Sequence, residues 1–231
     1  MIALGIDTSS AAGSVGVVSS TGLPHAELNL RAGLTHSERL LPAVRALLEV
    51  AGVSMEAIDL FAVAAGPGSF TGLRIGMAAA KGLALACGRP LVGFSTLETI
   101  ACASAPWVRR GTIGVPVCVL MDAGRGEVYR GLFRVAGLEV EPMLPEAALA
   151  PEEAVSDLPA ACLVVGDGLV AHGERLAGLP ANMIRVERTP FIGATLARRA
   201  LELAGRAGAD RLPPLVPNYL RVSDAERSWR G

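Results

Sequence analysis

Ala65-Gly66-Pro67-Gly68-Ser69-Phe70-Thr71-Gly72-Leu73-Arg74-Ile75-Gly76 is the stretch on which the reading of this 231-residue chain turns. Leu60 to Ala64, just before it, is a short apolar run that reads as a buried strand. Gly66 to Ser69 then form a loop, and Phe70 or Thr71 opens a helix running to about Ala86, stopped by Gly88-Arg89-Pro90. A glycine loop feeding a helix N-terminus can bind an anion through backbone N–H groups, with Arg74 as a further anion-facing candidate. The same glycines also suit a structural loop that brings a helix close to a strand. No Lys-Ser/Thr pair follows at Walker A spacing. Inside the helix, Gly72, Gly76, Ala80 and Ala84 recur every four residues and make a ridge without bulk. A helical glycine costs about 1 kcal/mol relative to alanine. The ridge therefore implies a close contact, either within the chain or with a partner subunit.

Outward toward the N-terminus, Thr35-His36-Ser37-Glu38 is a capping box. Leu40, Val44, Leu47, Leu48 and Ala51 follow at helical spacing, and Gly52 is placed to end that helix. Pro42 predicts a kink, or a helix that begins near Leu41. Ile2 to Ile6, Ser14 to Val18 and His25 to Leu30 read as strands of an antiparallel meander. The first of them ends in Asp7-Thr8-Ser9-Ser10. A carboxylate and hydroxyls at a strand end can hold a magnesium–phosphate unit, or can form an ordinary Asx/ST turn. Outward toward the C-terminus, Leu91 to Phe94 is a strand, and Ser95 caps a helix through about Ala103. Pro106 to Pro116 reads as the boundary between lobes at 1–105 and 106–231. Val117 to Met121 and Glu127 to Val135 form a hairpin around Asp122-Ala123-Gly124-Arg125-Gly126, with Gly124 and Gly126 at positive φ and Arg125 outward. Leu163 to Val165 is a short strand. Phe191 to Ala207 is a helix free to pack back on the first lobe, and Pro213-Pro214 begins an exposed tail. Each lobe opens with a strand, an Asp-containing turn and a second strand.

Composition narrows the function classes. Hydrophobic residues make up 51% and charged residues 19%, enough apolar material for a packed core. No run of 18 uninterrupted apolar residues occurs, and the start has no basic n-region, so the expectation is a cytoplasmic protein with no membrane partner. The net charge of −1 is balanced in both halves, which disfavours unaided nucleic-acid binding. Arg198-Arg199 and the arginines from Arg221 to Arg230 read as a solvated face. The four cysteines are scattered in apolar segments with no CxxC pair and read as core residues. His36 beside Glu38 has Leu40, not a second ligand, at i+4; with His25 and His172 lying apart, no metal cluster is visible.

Six stretches together resemble one family: Ile6-Asp7-Thr8-Ser9, Thr35-His36-Ser37-Glu38, the Gly66 to Gly76 block, Phe94-Ser95-Thr96-Leu97-Glu98, Met121 to Tyr129, and Pro217-Asn218-Tyr219-Leu220-Arg221. In this order they are similar to the TsaB/YeaZ family, the dimerisation subunit of bacterial tRNA threonylcarbamoyladenosine biosynthesis. The resemblance implies an α/β, two-lobed actin-like ATPase fold, each lobe a mixed sheet flanked by helices. It also implies relation to the catalytic subunit TsaD, whose pattern has a metal-binding His-x-x-x-His where this chain has His36 and Leu40.

The resulting expectation is a scaffold with no catalytic residues and no metal site of its own. It would support threonylcarbamoyl transfer to the adenosine beside the tRNA anticodon. Its partners would be TsaD and the ATPase subunit TsaE, with tRNA reached through the complex and a homodimer formed when alone. No cofactor is required; ATP or ADP would bind weakly or only within the complex, at Asp7, Thr8 and Ser9. The interface would be Leu40, Leu41, Val44, Gly72, Gly76, Ala80 and Ala84. Two rival expectations are a small-molecule kinase of the actin-like superfamily, with Asp7 at the phosphate turn, and a peptidase.

Overall fold

A computed structural model describes residues 1–23, 25–31, 36–107, 116–180, 183–208 and 211–221. The Thr35 cap, the side chain of His36, most of the Pro106 to Pro116 boundary and the arginines beyond Arg221 lie outside the described residues. The chain forms two compact units. The first combines Met1–Thr99 with Phe191–Asn218, and the second combines Ile100–Pro190 with the described residues from Tyr219 onward.

In the first unit, β1 (Ile2–Asp7), β2 (Ala12–Ser19) and β3 (His25–Arg31) form an antiparallel meander. After α1 (His36–Ala51), β4 (Leu60–Ala64) pairs parallel to β1. After α2 (Phe70–Cys87), β5 (Leu91–Phe94) pairs parallel to β4. The strand order is β3-β2-β1-β4-β5. Alternation sorts β1 into two faces. Leu4 and Ile6 join Val15, Val17, Phe61 and Val63 in a core closed by Leu40, Val44, Leu47, Leu48, Leu73, Met77, Ala80 and Ala84. Ala3 and Gly5 take the opposite face.

That opposite face receives α6 (Gly193–Ala207), which follows α3 (Thr96–Ser104) and the second unit in the chain. A Cβ on Gly5 would stand 2.0 Å from the Gly193 carbonyl oxygen, and one on Gly16 would stand 2.2 Å from the Ala194 nitrogen. The small residues thus set how near the helix lies. Ser14 Oγ accepts from the N–H groups of Ile192 and Gly193, and Glu27 Oε1 accepts from Ala194 N–H.

The second unit repeats the plan. β6 (Pro116–Gly124), β7 (Glu127–Ala136) and β8 (Glu139–Leu149) are antiparallel neighbours. After α4 (Pro151–Ala154), β9 (Leu163–Val165) pairs parallel to β6; after α5 (Gly168–Ala171), β10 (Ile184–Val186) pairs parallel to β9. The order β10-β9-β6-β7-β8 is that of the first sheet. The result is the α/β fold with two mixed sheets and flanking helices that the resemblance implies.

Several sequence expectations are corrected. Pro42 lies inside α1, so the helix does not begin near Leu41. Its expected end holds: Gly52 has φ 66°, Val53 N–H reaches Leu48 O and Gly52 N–H reaches Glu49 O, a Schellman closure. β8, which contains Pro142 and Pro145, was not foreseen. It is an edge strand, where proline is tolerated. The residues after Pro214 are no simple tail. Leu215 packs against the first core and over Gly93, and Asn218 N–H donates to Ala65 O at 2.7 Å. By length and composition α2 is apolar enough to cross a membrane, but it carries Arg74 and Lys81 and buries one face in the unit core.

Candidate functional site

The turn after β1 is built from the three residues expected to hold phosphate. Asp7, Thr8 and Ser9 are all buried. Ser9 N–H donates to Asp7 Oδ1 at 2.9 Å, which makes an Asx turn. The Thr8 hydroxyl donates to Gly72 O at 2.7 Å, and Ser69 N–H donates to Ser9 O at 2.7 Å. Ser69 caps α2 through a bond from Gly72 N–H to its Oγ. The Gly66 to Gly76 block explains itself in this contact. A Cβ on Gly68 would meet Ser9 O at 2.4 Å, one on Gly72 would meet Thr8 O at 2.1 Å, and one on Gly76 would meet Thr8 Oγ1 at 2.2 Å. The first turn of α2 therefore sits directly on the β1–β2 turn. The Thr8 hydroxyl and the Ser9 carbonyl are thus engaged by the start of α2, and the Ser9 N–H by Asp7.

The same packing corrects the expected interface. Gly72, Gly76, Ala80 and Ala84 face into the first unit and are buried, as are Leu40 and Val44. Of the seven residues only Leu41 is exposed, at 52%. The sequence left open whether the ridge served an internal or an external contact, and the structure places it inside. Leu40, at the position where a TsaD-like pattern has its second histidine, points into the core. Two of the seven, Leu41 and Val44, also take part in a groove between α1 and α2. Leu41, Val44, Arg45, Leu48, Glu49, Val53, Met55 and Leu83 line an apolar groove of about 350 Å³. Val50 and Leu85 are also exposed, both above 80%.

In the second unit the hairpin between β6 and β7 places Asp122 beside the residues after β9. Asp122 Oδ1 accepts from Gly124 N–H and lies 3.1 Å from His172 Nε2. Asp167 Oδ1 accepts from Asp122 N–H, and Asp167 N–H donates to Thr189 Oγ1. Burial pushes the Asp167 carboxyl above the usual range, and the neighbouring Asp122 charge adds to the rise. Gly124 and Gly126 have positive φ, as expected, and Arg125 is exposed. Arg125 is itself left-handed, which the sequence did not suggest. Sequence reading also missed Arg175 and Arg221, which bond the carbonyls of this turn, because nothing local links positions 49 and 97 residues away.

A family model described as TsaD, tRNA N6-adenosine threonylcarbamoyltransferase, matches residues 30–226. The tRNA threonylcarbamoyladenosine biosynthesis protein TsaB of Bacillus subtilis (strain 168) is 31% identical over 203 residues, 84% of this chain and 83% of that protein. The protein of the same name from Escherichia coli (strain K12) is 42% identical over 127 residues; the match spans about half of each, 54% of this chain and 52% of the relative. Among solved structures, YeaZ from Pseudomonas aeruginosa has a TM-score of 0.77 at 30% identity, over 95% of this chain and 99% of that one. The ethanolamine utilization protein EutJ from Carboxydothermus hydrogenoformans, at 12% identity and a TM-score of 0.53, is similar in fold alone.

Proposed function

Since this chain belongs to the TsaB/YeaZ family, we propose that it is a non-catalytic scaffold and dimerisation subunit of tRNA threonylcarbamoyladenosine biosynthesis. It supports transfer of threonylcarbamoyl, from threonylcarbamoyl-adenylate, to the adenosine beside the tRNA anticodon. The observation that carries the scaffold reading is the closed Asp7-Thr8-Ser9 turn. The rival kinase reading needs those groups turned to a phosphate, whereas here the Thr8 hydroxyl donates to Gly72 O and Ser9 O accepts from Ser69 N–H. ATP or ADP binds weakly, or only once partners are assembled.

The partners in this reading are the catalytic subunit TsaD, the ATPase subunit TsaE and, when the chain is alone, a second copy of itself. Binding of tRNA comes through the complex, in the cytoplasm. The surface we assign to association is the outer side of α1 and α2, where the half-exposed Leu41 lines the apolar groove. A contiguous apolar groove of this kind suits an association surface.

The test is reconstitution of threonylcarbamoyl transfer with the catalytic and ATPase subunits, tRNA and threonylcarbamoyl-adenylate. Transfer should require this chain, and the chain alone should neither transfer nor turn over ATP. Asp7→Asn should leave transfer within a few-fold of wild type. ATP turnover by the isolated chain that disappears with Asp7→Asn would return the turn to phosphate chemistry.

A further inference from the structure

The arginines of the second unit are, with one exception, bonded within the chain. Arg130 pairs with Asp157, Arg134 with Glu141 and Arg175 with Glu152. Arg185 donates to the carbonyls of Leu179 and Pro180, and Arg221 to those of Ala123 and Gly124. Arg125 also has an interaction within the chain. The exception is Arg188. It is exposed, and its N–H groups have no hydrogen-bond or ion-pair partner among the described residues. What holds it is a stack: its Cζ lies 5.5 Å from the ring centroid of Trp107. Trp107 ends the 3-10 turn Ala105–Trp107 after α3, and Arg188 follows the edge strand β10, so only the tertiary structure joins them. Trp107 is half-buried, and its indole N–H likewise has no partner among the described residues. Arg199 of the first unit shows the structural use of such a stack. It lies 4.7 Å from the Phe94 ring, but its N–H groups are taken by Thr99 and Glu98. Those of Arg188 are left for a group outside the chain.

A guanidinium laid on an aromatic ring is oriented in advance, and its donors stay at the edge of the plane. Neighbouring charge selects the ligand. Arg185 is exposed and bonded by neutral carbonyls, so no carboxylate offsets its charge among the described residues. In sequence, Arg109 and Arg110 follow Trp107 closely, while Glu187 sets one negative charge beside Arg188. A long tract of phosphates needs a wide basic surface, which a chain of net charge −1 does not offer. An unpaired RNA base needs less: a planar group to stack on, and a few donors for its edge or the adjoining phosphate. We propose that Arg188, backed by Trp107, is a stacking contact for an unpaired base of the tRNA within the threonylcarbamoyl-transferring assembly. The base lies on the guanidinium face turned away from the indole, and the N–H groups take its edge or the next phosphate. This rests on the tRNA-modification reading above and adds to it a direct contact from this chain.

The test uses this chain assembled with the catalytic and ATPase subunits, with end-labelled tRNA as the probe. Arg188→Gln removes the planar charge, and Trp107→Leu removes the ring behind it. Arg188→Gln should melt with wild type, because the side chain is exposed. Both variants should assemble normally and bind tRNA about tenfold more weakly, the scale of one lost stacked base. Arg188→Lys keeps the charge without the planar fork and should recover only part of the loss. Full recovery with lysine would mean charge alone and overturn the stack. If the wild-type complex binds tRNA and Arg188→Gln binds it equally well, the proposal is overturned and the scaffold reading stands. If Arg188→Gln instead weakens capture of a protein subunit, the pair takes a protein carboxylate and the proposal is equally overturned. Should Trp107→Leu lose its fold, the two Arg188 variants decide by themselves. Failure of wild type to assemble removes the scaffold reading and this proposal with it.

Discussion

At the scale of single residues, two glycines of α2 that look alike in sequence have opposite roles. Gly76 lies where a Cβ would come 2.2 Å from Thr8 Oγ1, whereas nothing lies within 4 Å of a Cβ on Gly82. Alanine at position 82 gains helix propensity alone, so Gly82→Ala should stabilise by about 1 kcal/mol. Alanine at position 76 gains the same propensity, but it displaces a side chain whose hydroxyl is bonded to Gly72 O. Overpacking of this kind costs about 1–3 kcal/mol, and a lost buried bond adds to it. Gly76→Ala should therefore be net destabilising. Urea denaturation of both variants checks this; equal and opposite ranking would mean that the β1–β2 turn yields to the helix.

At the scale of elements, α6 shows how a helix can be capped by strands distant in sequence. Its Ile192 cap has no side-chain bond of its own. The first N–H groups, which every helix leaves without internal partners, are instead taken by Ser14 of β2 and Glu27 of β3. Ser14 is fully buried, so its removal leaves two donors without an acceptor. Ser14→Ala should cost about 1–2 kcal/mol, the upper part of the range for a lost helix cap. Hydrogen exchange should show faster opening of the α6 start, with α1 and α2 protected as before. Uniform loss of protection would mean that α6 is not a separable element.

At the scale of the whole molecule, association should depend on the exposed side of α1 and α2 and not on the small-residue row. Leu41 is 52% exposed, whereas Val44, one turn on, is 1% exposed. Leu41→Glu should leave the melting temperature nearly unchanged and abolish both self-association and capture of the catalytic subunit. Val44→Glu should unfold the chain, because it buries a charge in the first core. Light scattering and pull-down on the folded variant decide the matter. A dimeric Leu41→Glu protein that still binds its partner would move the interface elsewhere.

The sequence by itself determined most elements and the family. Apolar runs with Gly and Ser punctuation located β1, β4, β5 and β9, and Ser69 with Gly88 bracketed α2, because caps and turns depend on a few neighbouring residues. It also carried the Asp7-Thr8-Ser9 and Gly66 to Gly76 motifs, without showing that they meet. Only the tertiary structure decided that the glycine row faces Thr8, that α6 is capped by Ser14 and Glu27, and that Arg175 and Arg221 clamp the β6–β7 turn. The reason is physical. A four-residue spacing fixes which side chains share a helix face, but the direction of that face follows from what packs against it. That partner is supplied by chain far away in sequence, so the choice is made when the core closes.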